Sequence, residues 1–176
     1  SFVAGMPIFG TLISLLDEDV PQFGIIDIPI LRERWVGIRN KESVFYADQH
    51  GGKPQPCNVS GQKIIEQSIL YSADPAMFNS LQKPGFDQIA AQVKMTRFGG
   101  DCYSYGLLSS GYIDLVVEAD LKIHDVMALV PVVEAAGGMI SDWQGKSSFD
   151  AAWDGCLVAT ASTELHEQAL SLLQTV

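Results

Sequence analysis

Three segments of the chain carry residue types suited to chemistry on phosphates or cations. Asp125 stands at the start of a helix-forming run, just after Leu121–His124. As a first-turn carboxylate it would be stabilised by free backbone N–H groups and the helix dipole. As a magnesium ligand it would be one of the one or two carboxylates that such an ion takes beside phosphate and water, and it would need partners. Glu118 closes an apolar run containing Ile113 and Leu115-Val116-Val117. A carboxylate at the carboxyl end of an α/β strand faces a ligand crevice, or is simply a solvated strand end. Gly99-Gly100-Asp101-Cys102 precedes a small apolar helix. Two glycines let a backbone approach a ligand closely, and a helix N-terminus favours phosphate, while Asp101 as a plain N-cap accounts for the same residues. His124 reads as a packing or surface residue. The chain has no GxSxG, Walker A, HExxH or dinucleotide-binding glycine pattern, which counts against serine hydrolases, nucleotide kinases and zinc proteases.

These residues need elements to position them. Phe9–Leu16 and Gly24–Ile30 read as strands joined by the turn-rich DEDVP, with shorter strands at Trp35–Arg39 and Val44–Ala47. Residues 48–62 are polar and rich in Gly and Pro, which predicts a surface loop or lobe boundary. This divides the chain into 1–62, an antiparallel-sheet part of an N-terminal lobe, and 63–176, a C-terminal α/β lobe. In the second part the pattern predicts a strand at Ile69–Ser72 and a helix from an Asp74 N-cap and Pro75 to about Leu81. A helix over 85–93, a small helix over Asp101–Ser109 and a strand over Ile113–Glu118 follow. A long helix from about His124 to Ala136 ends at Gly137-Gly138, with a kink or break near residue 130 from Pro131. Leu157–Ala161 is a buried strand, and Thr163 and Glu167 frame a final amphipathic helix to Leu173. Strand and helix alternate, so the fold class is mixed α/β in layers.

The 176 residues are 47% apolar and carry a net charge of −10. Such a surface repels nucleic acid and anionic membranes, so an anionic substrate must be held by local devices such as metal ions, helix N-termini or single basic residues. No apolar run approaches the roughly 18–20 residues that span a bilayer, and the opening SFVAGMPIFG is not a secretory signal. Cys57, Cys102 and Cys156 form neither a disulfide framework nor a CxxC site, which suits reduced thiols in a cytoplasm. Trp35, Trp143 and Trp153 read as core or turn aromatics. The absence of an initiator Met suggests a piece of a longer chain.

Together these segments resemble one family. His124-Asp125-Val126 through Pro131-Val132-Val133-Glu134-Ala135-Ala136-Gly137-Gly138 is similar to the second signature of inositol-monophosphatase-like enzymes, in which an Asp begins a helix ending in Glu-Ala-Gly-Gly. Ser1 to Gly10 resembles the stretch just after their first signature, Asp-Pro-Ile-Asp-Gly-Thr. Within that superfamily, Pro29 to Gly37, Arg97 to Tyr103 and Asp114 to Glu118 look most like the histidinol-phosphatase branch. The resemblance implies a layered α/β/α/β/α sandwich, here truncated at its N-terminus, and Mg²⁺-assisted hydrolysis of a small-molecule phosphate monoester, with a homodimer as the assembly. It implies that Asp125 ligates metal, that Glu118 meets the organic part of the substrate, and that Gly100, Asp101 and Cys102 form the turn beside it. It also implies that the remaining metal ligands and the helices covering the first sheet lie before Ser1. The chain as given would then bind Mg²⁺ weakly, would be catalytically incomplete and would expose apolar surface. Carboxylates at Asp101 and Glu118 would suit the ammonium and imidazole of histidinol phosphate. The alternatives are an inositol or broader sugar phosphatase, and a non-catalytic module of the same fold.

Overall fold

The computed structural model describes residues 2–150 and 152–174. Alternating apolar residues and short polar turns give β1 (Thr11–Asp17), β2 (Val20–Ile28), β3 (Glu33–Ile38), β4 (Ser43–Ala47) and the two-residue β5 (Gln55–Pro56), an antiparallel sheet in chain order. Glu18 and Asp19 turn the first hairpin with φ of 47° and 64°, the left-handed pair that suits a two-residue hairpin loop. β2 therefore starts at Val20 rather than Gly24, and Pro21 sits opposite Leu16 beside a bulge, a position proline tolerates. On the inner face Gly24, Ile26, Ile28, Trp35 and Gly37 are buried. On the outer face Ile13 and Leu15 are 52% and 63% exposed, beside half-buried Phe23, Ile25, Val36 and Ile38. The expected apolar surface is present.

The second sheet contains β6 (Ile69–Ser72), β7 (Met95–Phe98), β8 (Leu115–Glu118), β9 (Met139–Ser141) and β10 (Leu157–Thr160), in the order β7-β6-β8-β10-β9. β6 is parallel to β7 and β8, while β10 is antiparallel to β8 and β9. Helices α1 (Lys83–Gln92) and α5 (Thr163–Leu173) pack on one face of this sheet, burying Phe86, Ile89 and Leu165 with Leu115 and Val117. Helices α2 (Cys102–Ser109) and α4 (Leu129–Ala135) lie between the sheets, burying Tyr105, Leu108 and Val132 with Trp35 and Val116. The described residues thus stack as β/α/β/α, a mixed α/β architecture. Among them no helix is long and apolar enough to cross a membrane, and all three cysteines are free thiols.

Four elements differ from expectation. Asp74 does cap, accepting the Ala76 N–H at 2.8 Å, but the helix expected to reach Leu81 is a single 3₁₀ turn, Pro75–Met77. Phe78 leaves it in an extended conformation and stacks on Phe86 at 4.3 Å and Trp143 at 6.1 Å. Burial of a large aromatic ring outweighs one more helical turn. β5, β7 and β9 fall where no strand was expected. They are short sheet edges, with too few residues to display a period.

The long helix is broken by Pro131, and the break lies one turn before the proline. α3 (Ile123–Val126) stops, Met127 and Ala128 intervene, and α4 begins. Proline has no N–H for the carbonyl four residues back, which is that of Met127. The Ser14 hydroxyl takes its place, donating to Met127 O at 2.9 Å. The loosened backbone then seats on a row of small residues, because Ser14, Gly24, Gly37 and Ser43 are successive cross-strand partners. A Cβ at Gly24 would lie 2.0 Å from Ala128 O, and one at Gly37 would lie 2.4 Å from Pro131 O. Backbone rests directly on backbone.

α5 is capped by Ser162, whose hydroxyl accepts the Leu165 N–H at 3.1 Å. Its His166 is buried, with Nε2 2.8 Å from Ser141 Oγ and Nδ1 3.1 Å from Thr160 Oγ1. Burial pushes the imidazole down to about 4.

Candidate active site

Because β7, β6 and β8 run parallel, their carboxyl ends lie side by side. Ala73 follows β6, Asp101 lies beyond β7, and Glu118 ends β8. Ligand crevices of α/β sheets form at such ends. A cavity of about 500 Å³ opens there, lined by Asp101, Cys102, Tyr105, Glu118 and Asp125, with Phe9, Leu12, Leu121 and Leu129 as apolar wall. The fold therefore brings Asp101, Cys102, Glu118 and Asp125 together. Gly100 is not on the lining; it is buried behind Asp101, where a Cβ would meet Ser104 Oγ at 1.9 Å.

Glu118 is 2% exposed. It shares a face of β8 with Val116, and the strand's alternation turns both towards the layer between the sheets. Its Oε2 accepts the Tyr105 phenol at 2.6 Å, and its Oε1 has no hydrogen-bond partner among the described residues. Burial pushes its carboxyl up to about 7, with the Asp101 and Asp125 charges adding to the rise. The Tyr105 hydrogen bond and the nearby Ala73 N–H, which is outside hydrogen-bonding geometry, hold the rise back.

Asp101 has φ 45° and ψ −139°, and its side chain makes no capping hydrogen bond to α2. The plain N-cap reading therefore does not describe this side chain. A non-glycine residue in that region costs on the order of 1–3 kcal/mol, a strain that concentrates at functional sites. Asp125 fits its first-turn reading, and it also lines the cavity. Its Oδ2 accepts the Lys122 backbone N–H at 2.8 Å, as a first-turn carboxylate does. His124 beside it points into solvent, with its side chain 83% exposed. Burial, and then the Asp101 charge, push the Cys102 thiol up to about 11, so it is not a nucleophile at neutral pH.

Sequence reasoning missed Tyr105 and Phe9. For Tyr105 a signal was available, since it lies four residues after Asp101 and so on the same helical face. For Phe9 there was none, because an aromatic residue at the start of an expected strand reads as core.

The lining holds three carboxylates and no lysine, arginine or histidine. A phosphate can enter such a cavity only with compensating cations. Among the described residues, however, no three of His, Cys, Asp and Glu are grouped so as to hold a metal ion.

Two buried groups give opposite pH slopes. Free histidine protonates near 6.5 and folded His166 at about 4, so its stabilising contribution is full above pH 6.5 and is lost as the pH falls towards 4. Folded Glu118 keeps its proton up to about 7 against 4.5 when free, so its contribution is full below pH 4.5 and is lost as the pH rises through 7. The slopes oppose each other between about pH 5 and 6.5. In urea unfolding, Glu118→Gln is expected to leave stability rising with pH across that window, and His166→Gln to leave it falling. Parallel curves for both variants and the parent would contradict these two titrations.

A layered α/β protein with an acidic cavity at the ends of parallel strands is the class that fold and site define. The model of the inositol monophosphatase family matches residues 1–176, and the chain belongs to that family. It is 39% identical over 180 residues to the bifunctional phosphatase IMPL2, chloroplastic, of Arabidopsis thaliana, covering 99% of this chain and 50% of that protein. It is 31% identical over 180 residues to a histidinol-phosphatase of Mycobacterium tuberculosis, covering 98% of this chain and 65% of that one. Among solved structures, an inositol monophosphatase from Zymomonas mobilis superposes with a TM-score of 0.90 at 38% identity, covering 98% of this chain and 65% of that chain. The chain thus spans half to two thirds of the length of these relatives.

Proposed function

We propose that this protein takes part in hydrolysing a phosphate monoester with the help of magnesium, and that the ester is histidinol phosphate. The observation that carries the reading is Glu118, a buried carboxylate with an unpartnered oxygen in an acidic cavity that it shares with Asp101. Histidinol phosphate offers an ammonium and an imidazole, and a charge-assisted hydrogen bond from either would satisfy that oxygen. Inositol phosphate offers hydroxyl groups alone. Phe9 and Leu12 give the organic group an apolar wall. Family membership and the relative named histidinol-phosphatase support the same reading.

The cavity's charge fits a divalent cation, and its ligand count does not fill an octahedral shell. Asp125 would hold one position, leaving the others to phosphate oxygens, water and groups outside the described residues. Magnesium, when bound, supplies a polarised water and neutralises charge on the phosphoryl group. The chain's own residues bind and orient: Glu118 and Asp101 face the organic group, and the Gly99–Cys102 turn shapes the wall beside it.

The test is Mg²⁺-dependent phosphate release by the protein expressed from its own gene, with histidinol phosphate and inositol 1-phosphate offered separately. We expect kcat/KM for histidinol phosphate to exceed that for inositol 1-phosphate by at least about tenfold, the worth of one charge-assisted hydrogen bond. Equal rates would favour a broad phosphatase, a second reading prompted by the Arabidopsis relative being named bifunctional. Release from neither ester would overturn the phosphatase reading for this chain.

A further inference from the structure

The Tyr105 ring is buried, 1% exposed, and packs into the core between the sheets. A phenylalanine would fill that space equally well, so the ring accounts for the packing and not for the hydroxyl. The hydroxyl donates to Glu118 Oε2 at 2.6 Å. Burial and the adjacent Glu118 charge push its own ionisation well above the ordinary tyrosine value, so it remains a donor at every working pH. A permanent donor on Oε2 has two effects. It pins the carboxyl group, so that Oε1 is the oxygen left for a ligand. It also stabilises the ionised form against burial and against the charges of Asp101 and Asp125.

The other titratable groups around Glu118 do not supply a donor of this kind. From α2 comes the Cys102 thiol, neutral at working pH, and Asp101 and Asp125 are carboxylates. The strand next to Glu118 on β10 places Leu157 opposite it.

We propose that Tyr105 is a positioning residue that sets the orientation and the charge of Glu118, and thereby decides whether the cavity accepts a cationic or a neutral organic group. The proposal rests on reading this cavity as the site of a phosphate ester. With Glu118 ionised, Oε1 accepts a hydrogen bond from an ammonium or a protonated imidazole. With the proton on Oε1, the same oxygen donates to a substrate hydroxyl. One side chain then serves two ester classes, an amino-alcohol phosphate at higher pH and a polyol phosphate at lower pH, with the crossover set by the Tyr105 hydroxyl.

The experiment is Tyr105→Phe in the full chain, followed by two independent readouts. The first is carbon-13 NMR titration of the Glu118 carboxyl, assigned by its loss in Glu118→Gln. The midpoint is expected near 7 in the parent and about one unit higher in the variant, the size of one charge-assisted hydrogen bond. An unchanged midpoint overturns the proposal whether or not either ester is hydrolysed. The second is the pH profile of KM. For histidinol phosphate at pH 7, KM should rise about fivefold in Tyr105→Phe while kcat falls by less, and the KM for inositol 1-phosphate should not rise. A loss of kcat or thermal stability with the KM profile unmoved would make Tyr105 merely structural and would also overturn the proposal. If the parent hydrolyses neither ester, the phosphatase reading fails and the carboxyl titration alone decides on Tyr105. Should the variant not fold, incorporation of 3-fluorotyrosine, a stronger donor, must move the Glu118 midpoint down; a midpoint that stays or rises overturns the proposal.

Discussion

Gly37→Ala is expected to destabilise the chain by more than about 3 kcal/mol, a large share of the roughly 5–15 kcal/mol that holds a domain together. An added Cβ would lie 2.4 Å from Pro131 O and equally close to Val132 N and Cα. All three are backbone atoms, so no rotamer change makes room. α4 would have to lift from the first sheet, giving up the burial of Val132 and its neighbours. Gly51→Ala is the control. That glycine has φ 63° and nothing within 4 Å of an added Cβ, so its cost is the backbone preference alone, about 1 kcal/mol. Urea unfolding monitored by circular dichroism separates the two. If both variants lose the same stability, close approach of the layers is not what Gly37 provides.

Asp125→Asn is expected to lower phosphate release on the order of a thousandfold, the several kcal/mol that a metal-held transition state commands. The substitution isolates charge from structure. An asparagine side-chain oxygen can still accept the Lys122 N–H that Oδ2 accepts at 2.8 Å, so α3 should stay folded and the melting temperature should move little. Measured with Mg²⁺ in excess, activity within tenfold of the parent would remove Asp125 from the metal role we propose.

The parts of this molecule legible in the sequence are those fixed by local rules. The first four strands of the first sheet, the Asp74 cap, the final helix and the glycine end of the broken helix follow from alternation, capping and turn chemistry. The Pro131 break was legible as a break. Its location at Met127 follows once the missing hydrogen bond is traced back four residues, but the Ser14 hydroxyl that replaces it comes from a strand more than a hundred residues away. The Ser14-Gly24-Gly37-Ser43 row is equally hidden, since it exists only across strands. Phe78 leaving its helical turn is a tertiary choice that no local window contains. The cavity itself divides in the same way. Asp101, Glu118 and Asp125 each had an ordinary local explanation, and it was resemblance that gathered them. What brings Asp101 and Glu118 together physically is the parallel pairing of β6 with β7 and β8, and β7 was a strand that no pattern announced. Tyr105 stayed hidden because its ring explains its burial and conceals the work of its hydroxyl.

The seating of α4 on bare glycine backbone has a mechanical consequence. Layers packed through side chains can creep past one another, because each side chain can shift rotamer as they slide. Between Gly24 or Gly37 and the broken helix there is no side chain to shift. Shear across this interface is therefore stiff, and compliance is displaced to the two residues where the helical ladder is interrupted, Met127 and Ala128. Asp125 sits just before that gap, on a single turn joined to an anchored helix. Any displacement of Asp125 is therefore confined to that short turn, while the scaffold behind it stays still.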